Sequence, residues 1–241
     1  HNGVKKYQLA EAQKEIWVAS LMSDKASCAF NESSHLILNG KLNEQALERA
    51  FKKVIERHEA LRTTFSDDGR HQIVNSKSEF KLSSLDLSLL NEKEKQKILE
   101  ERLNSETTKL FDLSTGPLLR AELVKLNDEL HYVIITAHHI ICDGWSFDVM
   151  VRDLSRIYSE EIEQKFSTPQ PAMQMREFIA YMEKNRNTVE YKNQESYWLE
   201  QFKPPISEID LPVDFNRPEV RTFNGARILG RVEKDLFAKV K

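Results

Sequence analysis

Cysteine is nearly absent: Cys28 and Cys142 are the only two among 241 residues, so at most one disulfide could form and a disulfide-stapled scaffold is excluded. No cationic, apolar, small-residue leader precedes the fold, and a reducing cytoplasm is the expected compartment. Charge of one sign is missing too. Lys and Arg number 35 against 38 Asp and Glu, leaving a formal net charge of -3 and no global field to attract nucleic acid or anionic lipid. No apolar run approaches the roughly 20 residues of a membrane-spanning helix, and the longest ones read as core strands. A soluble protein is expected, with no nucleic-acid or membrane partner. Internal repeats and low-complexity tracts are lacking as well. What is there is a chain 40% hydrophobic and 30% charged, long enough to bury a sizeable core as one large domain or one and a part.

The patterning predicts an α/β chain. Glu11 to Met22 has helical spacing, and Ser34 to Asn39 reads as a strand. Asn43 is placed to cap a helix in which Leu47, Phe51, Val54 and Ile55 share one face. Leu61 to Phe65 and His71 to Val74 flank Asp67-Asp68-Gly69, a hairpin signal. Asn91 to Leu110 reads as a solvated helix with Ile98, Leu99 and Leu103 inward. Leu118 to Leu126 and Leu130 to Ala137 then form an expected antiparallel pair, followed by a helix from near Ser146 carrying Phe147, Met150, Val151, Leu154, Ile157 and Tyr158 on its apolar side. Two more helical stretches run to about Phe202, and Lys203-Pro204-Pro205 marks an irregular segment. Ala226 to Val232 reads as a strand and Lys234 to Lys241 as the opening of a helix cut off at the terminus, so the chain is expected to be a piece of something longer.

The densest chemistry is His138-His139-Ile140-Ile141-Cys142-Asp143-Gly144, at an expected strand-to-helix junction. A neutral imidazole, with a reference pKa of about 6.5, can accept a proton from an attacking amine or hydroxyl. His139 is the candidate. Adjacent strand residues face opposite sides, so His138 is expected to pack or hydrogen-bond within the framework. Asp143 could anchor a buried arginine or cap the following helix. Gly144 could turn with positive φ and let a substrate carbonyl approach main-chain N–H groups at the helix start. Neighbouring histidines diverge and no third ligand sits at a supporting spacing, so no metal is expected. Cys142 reads as a small buried hydrophobe.

Ala137-His138-His139-Ile140-Ile141-Cys142-Asp143-Gly144-Trp145-Ser146 resembles the HHxxxDG signature of nonribosomal peptide synthetase condensation domains, relatives of chloramphenicol acetyltransferase. Three further segments are similar to stretches of that family, in order: Leu9 to Trp17, Arg57-His58-Glu59-Ala60-Leu61-Arg62-Thr63-Thr64-Phe65, and Phe111 to Arg120. The resemblance implies a chloramphenicol acetyltransferase-like lobe, a mixed sheet flanked by helices, over residues 1–185, with a crossover helix and the truncated start of a second lobe over 186–241. It implies an amide-forming acyltransferase whose substrates arrive on the 4'-phosphopantetheine of donor and acceptor carrier proteins, beside an adenylation domain, with no cofactor of its own. His139 and Gly144 would then be catalytic, with His138, Asp143 and Arg62 supporting the site, Arg62 as the salt-bridge partner of Asp143. Trp145 and Ser146 would border the substrate tunnel. Two other classes fit parts of the pattern: a condensation-like module that recruits partners without catalysis, and a free-standing coenzyme A acyltransferase. The first lobe alone is expected to fold around its own core and to turn over poorly.

Overall fold

The computed structural model describes residues 5–206, 211–216, 218–225 and 230–240. A central four-stranded sheet has the order β2-β7-β6-β5, built from β2 (Asn31–Asn39), β5 (Ser83–Asp86), β6 (Leu119–Asn127) and β7 (Leu130–His138). It is mixed: β2, β7 and β6 pair antiparallel, whereas β5 runs parallel to β6. This is the α/β architecture the patterning predicts.

Period-two alternation along β7 explains how the sheet is covered on both faces. Val133, Ile135 and Ala137 join the larger core, while Ile134 points the other way into a smaller cluster with Leu99 and Val124. Helix α4 (Glu92–Ser105) supplies Leu99 to that second face and is capped by Asn91, whose side chain accepts from the Glu94 N–H at 3.0 Å. On the first face lie α3 (Glu44–Arg57) and α5 (Gly144–Glu163). Asn43 caps α3 as expected, accepting from Ala46 N–H at 2.9 Å. Leu47, Phe51, Val54 and Ile55 are buried along it and meet Met150, Leu154 and Ile157 of α5. Burying each such side chain contributes about 1.5–3 kcal/mol, and an ion pair from Arg49 to the buried Glu161 carboxylate at 2.6 Å joins the two helices at their rim.

A second, three-stranded sheet stands apart, ordered β1-β4-β3: β1 (Lys5–Gln8), β3 (Thr63–Phe65) and β4 (His71–Val74). The β3–β4 hairpin turns at Gly69, whose φ of +65° and close approach to Trp17 of α1 (Glu11–Ser20) both require glycine; a Cβ there would lie 2.5 Å from the indole ring. The expected strand at Leu61 starts later, because Glu59–Arg62 forms a 3-10 turn after α3. A short helix α2 (Asp24–Cys28) precedes β2, and α6 (Met175–Asn185), α7 (Val189–Gln201) and α8 (Lys234–Val240) complete the chain. Of the strand expected over 226–232, residues 226–229 lie outside the described residues, and 230–232 have no regular structure. Among the described residues no helix is long and apolar enough to cross a membrane.

Candidate active site

Strand β7 ends at His138 and α5 begins at Gly144, so five residues make the junction. They are tied down at almost every step. His138 N–H donates to Leu118 O at 3.0 Å, His139 N–H to Phe30 O at 2.8 Å, and Ile141 N–H to His138 O at 3.0 Å. The Gln13 side chain, buried on α1, donates to Ile140 O at 3.2 Å. Sequence reasoning did not single out Gln13, since nothing local marks a polar side chain that reaches a loop so distant in the chain.

The two histidines have separate environments. His138 is fully buried, its ring edge-on to Phe111 and tilted against Phe30, with centroids 6.2 and 6.0 Å away. Its Nδ1 accepts from Ile140 N–H at 3.3 Å, which requires a neutral ring with an unprotonated Nδ1. Burial pushes its pKa down to about 4, outweighing the Ser27 main chain, which favours the charged form; His139 next to it also disfavours the charge. His139 keeps about a third of its side chain exposed, 35%. Its Nδ1 lies 2.6 Å from the Glu32 carboxylate and 3.1 Å from Cys142 O, and its Nε2 makes no hydrogen bond among the described residues. Glu32 is a second residue that sequence reasoning missed.

Asp143 is the N-cap of α5. Its carboxylate accepts from Ser146 N–H at 2.8 Å and Ser146 Oγ–H at 2.6 Å, and these bonds hold its pKa below the usual carboxylate range. Of the two roles open to it, capping is the one adopted. The expected Arg62–Asp143 salt bridge is not made among the described residues. Arg62 donates to Asn75 O and faces Glu59 at 3.9 Å. The physical reason is local: Asp143 meets unsatisfied N–H groups at the start of a helix, while the 3-10 turn and the edge of β4 take the guanidinium. The side chains of that segment that do reach α5 are Arg57 and His58, at 2.9 and 2.8 Å from Asp153 Oδ2.

Gly144 also differs from expectation. It has no positive φ, being already the first residue of the helix, and a Cβ there would meet nothing within 4 Å. The space beside it is open. With Ser146 N–H taken by Asp143, the Gly144 and Trp145 N–H groups have no intrahelical acceptor. Trp145 is 82% exposed, and with Ser146 it lines a groove of about 400 Å³ together with His58, Leu61, Met173 and Phe178. A larger cavity of about 690 Å³ lies among Arg57, Arg62, Arg156 and Arg176 and contains none of residues 138–146. Its cations are engaged with carboxylates, so the smaller groove is the one that belongs to the junction.

Cys142 is buried and its thiol is pushed up to about 12 by burial, with Glu32 and Asp143 adding to the effect, which leaves it no thiolate for nucleophilic work. Among the described residues no group of three His, Cys, Asp or Glu side chains could hold a metal ion. The four segments quoted from the sequence converge on this junction. Gln13 holds the loop, Arg57 and His58 hold α5, and Phe111 packs on His138. Asp112 bends the chain into β6 by accepting from Ser114 and Thr115, which draw its pKa down to about 2.

Comparison with known proteins agrees over nearly the whole length. Residues 4–241 match the family model described as Condensation domain. The chain is 34% identical over 230 residues to a plipastatin synthase of Bacillus subtilis (strain 168), covering 95% of this chain and 9% of that protein. It is 33% identical to tyrocidine synthase 2 of Brevibacillus parabrevis, covering 98% and 6%. The chain thus spans less than a tenth of the length of these relatives. The fold is similar to the starter condensation domain of rhizomide synthetase RzmA in a product-released conformation, with a TM-score of 0.78, 22% identity, and coverage of 88% of this chain and 48% of that one. It is also similar to the X-domain in its complex with OxyB from teicoplanin biosynthesis, at a TM-score of 0.73 and 27% identity, covering 89% and 47%.

Proposed function

The chain belongs to the condensation-domain family, and from that premise we propose that it forms an amide bond between a carrier-bound acyl thioester and a carrier-bound aminoacyl thioester. The observation that carries this reading is the state of His139. Its Nδ1 faces two oxygens, Cys142 O and a Glu32 carboxylate oxygen, and its Nε2 makes no hydrogen bond among the described residues, on a side chain that is 35% exposed.

In the proposed reaction the acceptor amine attacks the donor thioester carbonyl. The C–N bond forms, and the nitrogen proton passes to His139 Nε2. The carbonyl oxygen, now negative, is positioned against the Gly144 and Trp145 N–H groups. Collapse breaks the C–S bond, the thiolate takes a proton from the imidazolium, and the products are a longer acyl chain on the acceptor carrier and a free thiol on the donor carrier. Proximity of two tethered substrates supplies much of the rate. The donor and acceptor carrier proteins and an adjacent adenylation domain are the proposed partners, their 4'-phosphopantetheine arms bringing the substrates, and the cytoplasm is the proposed compartment. Within this reading residues 1–185 are the first lobe and 186–241 the crossover and the start of the second.

Partner recruitment without catalysis is the second reading, since the similar X-domain is seen with OxyB. An intact His138, His139, Asp143 and Gly144 favour the catalytic one. The test is mass spectrometry of the acceptor carrier after incubating a full-length condensation domain carrying these residues with acylated and aminoacylated carrier proteins. The acceptor should gain the donor acyl mass. Release of free acid, or no transfer, would reject amide formation.

A further inference from the structure

We propose that Glu32 is a positioning residue for the condensation reaction, holding His139 with its proton on Nδ1 so that Nε2 is left to act as the base. This rests on the base role given to His139 above. The argument begins with register. In the β2–β7 pair Glu32 stands opposite Ala137, and the His139 main chain continues the pairing by donating to Phe30 O. Residues two apart on a strand share a face, so His139 falls diagonally from Glu32 on the same side, a separation that a long side chain spans. The result is a 2.6 Å contact from the Glu32 carboxylate to His139 Nδ1.

The tautomer follows from the acceptors. Nδ1 faces both the Glu32 carboxylate and Cys142 O, neither of which carries a hydrogen to donate, so the ring hydrogen is on Nδ1. Cys142 O accepts that hydrogen, and the Glu32 carboxylate lies against the same nitrogen. Glu32 adds what a carbonyl does not, a full negative charge that faces the imidazolium only after Nε2 has taken the amine proton. Such a contact favours the intermediate over the ground state, which is the condition for accelerating the step. Among the described residues the Glu32 side chain makes no hydrogen bond and its one ionic contact is with His139, so its carboxylate is not committed elsewhere.

The experiment compares wild type, Glu32→Leu, Glu32→Gln and His139→Ala in a full-length condensation domain, measuring kcat and KM for the aminoacyl carrier. Glu32→Leu should lower kcat about 10- to 100-fold, by analogy with loss of the carboxylate behind a metal-ligating histidine, with KM nearly unchanged. Glu32→Gln, which keeps an oxygen acceptor but no charge, should recover part of the loss. Nitrogen NMR of ¹⁵N-histidine-labelled wild type, assigned against His139→Ala, should show His139 protonated at Nδ1 near neutral pH, a readout that does not depend on a Glu32 variant folding. Glu32→Leu turning over within about twofold of wild type, while His139→Ala is inactive, would overturn the role of Glu32 and leave the base role standing. A His139 hydrogen found on Nε2 would overturn it too. Full activity in His139→Ala would instead remove the base role on which the inference rests.

Discussion

Lowering the pH from about 7.5 to about 4.5 should destabilise the protein by about 2.5 kcal/mol through His138 alone. The ring is fully buried between Phe30 and Phe111, and burial holds its folded pKa at about 4 against 6.5 for a free imidazole. Above pH 6.5 the ring is neutral in both states and its full contribution is present. As the pH falls below that value the unfolded chain takes up a proton that the folded chain refuses, so stability is lost down to about pH 4 and then levels off, with a ceiling of about 3 kcal/mol. His131 is shifted in the same direction by burial, so the comparison must be with His138→Leu, which removes this one titration. Urea denaturation followed by circular dichroism should show the wild-type midpoint falling by about 1 M more than the variant's over that interval. His138→Leu will be less stable throughout, because Ile140 N–H loses its acceptor; the slope with pH carries the test. Equal slopes in the two proteins would refute the assignment of the low pKa to His138.

Asp143→Ala should cost about 1 kcal/mol by uncapping α5, and Asp143→Ser should recover most of it. In a double-mutant cycle with Arg62→Ala the two changes should add to within about 0.5 kcal/mol, since each side chain has other partners; a larger coupling would restore the salt bridge expected from the sequence. Trp145→Ala should leave the thermal midpoint unchanged, its side chain being exposed, while altering KM for one of the carrier-bound substrates in the condensation assay. Asp153→Ala should be among the more damaging changes, about 3 kcal/mol, because it strands Arg57, His58 and Arg156 around a largely buried position.

The elements with strong local signals were legible in the sequence. The Asn43 cap, the apolar stripe of α3, the Asp67-Asp68-Gly69 turn and the alternation along β6 and β7 each state their structure within a few residues. Strands β1 and β5 and helix α2 were not foreseen. Each has only four or five residues, and the two strands carry mostly exposed side chains, so there is no period to detect. Strand β2 begins three residues before the start expected at Ser34, and the polar lead-in Asn31-Glu32-Ser33 is where the missed carboxylate sits. Its place beside His139 is decided by sheet register, which no local pattern reveals. Arg62 shows the converse: its motif marked it as part of the site's framework, yet the link to α5 is made by Arg57 and His58 of the same motif to Asp153.

The base role of His139 is met most directly by the single-turnover rate of amide formation between preloaded donor and acceptor carrier proteins, wild type against His139→Ala. A general base contributes about 10²- to 10⁴-fold, so the variant should slow by at least about 100-fold while binding both carriers as before. An undiminished rate in His139→Ala would contradict the account.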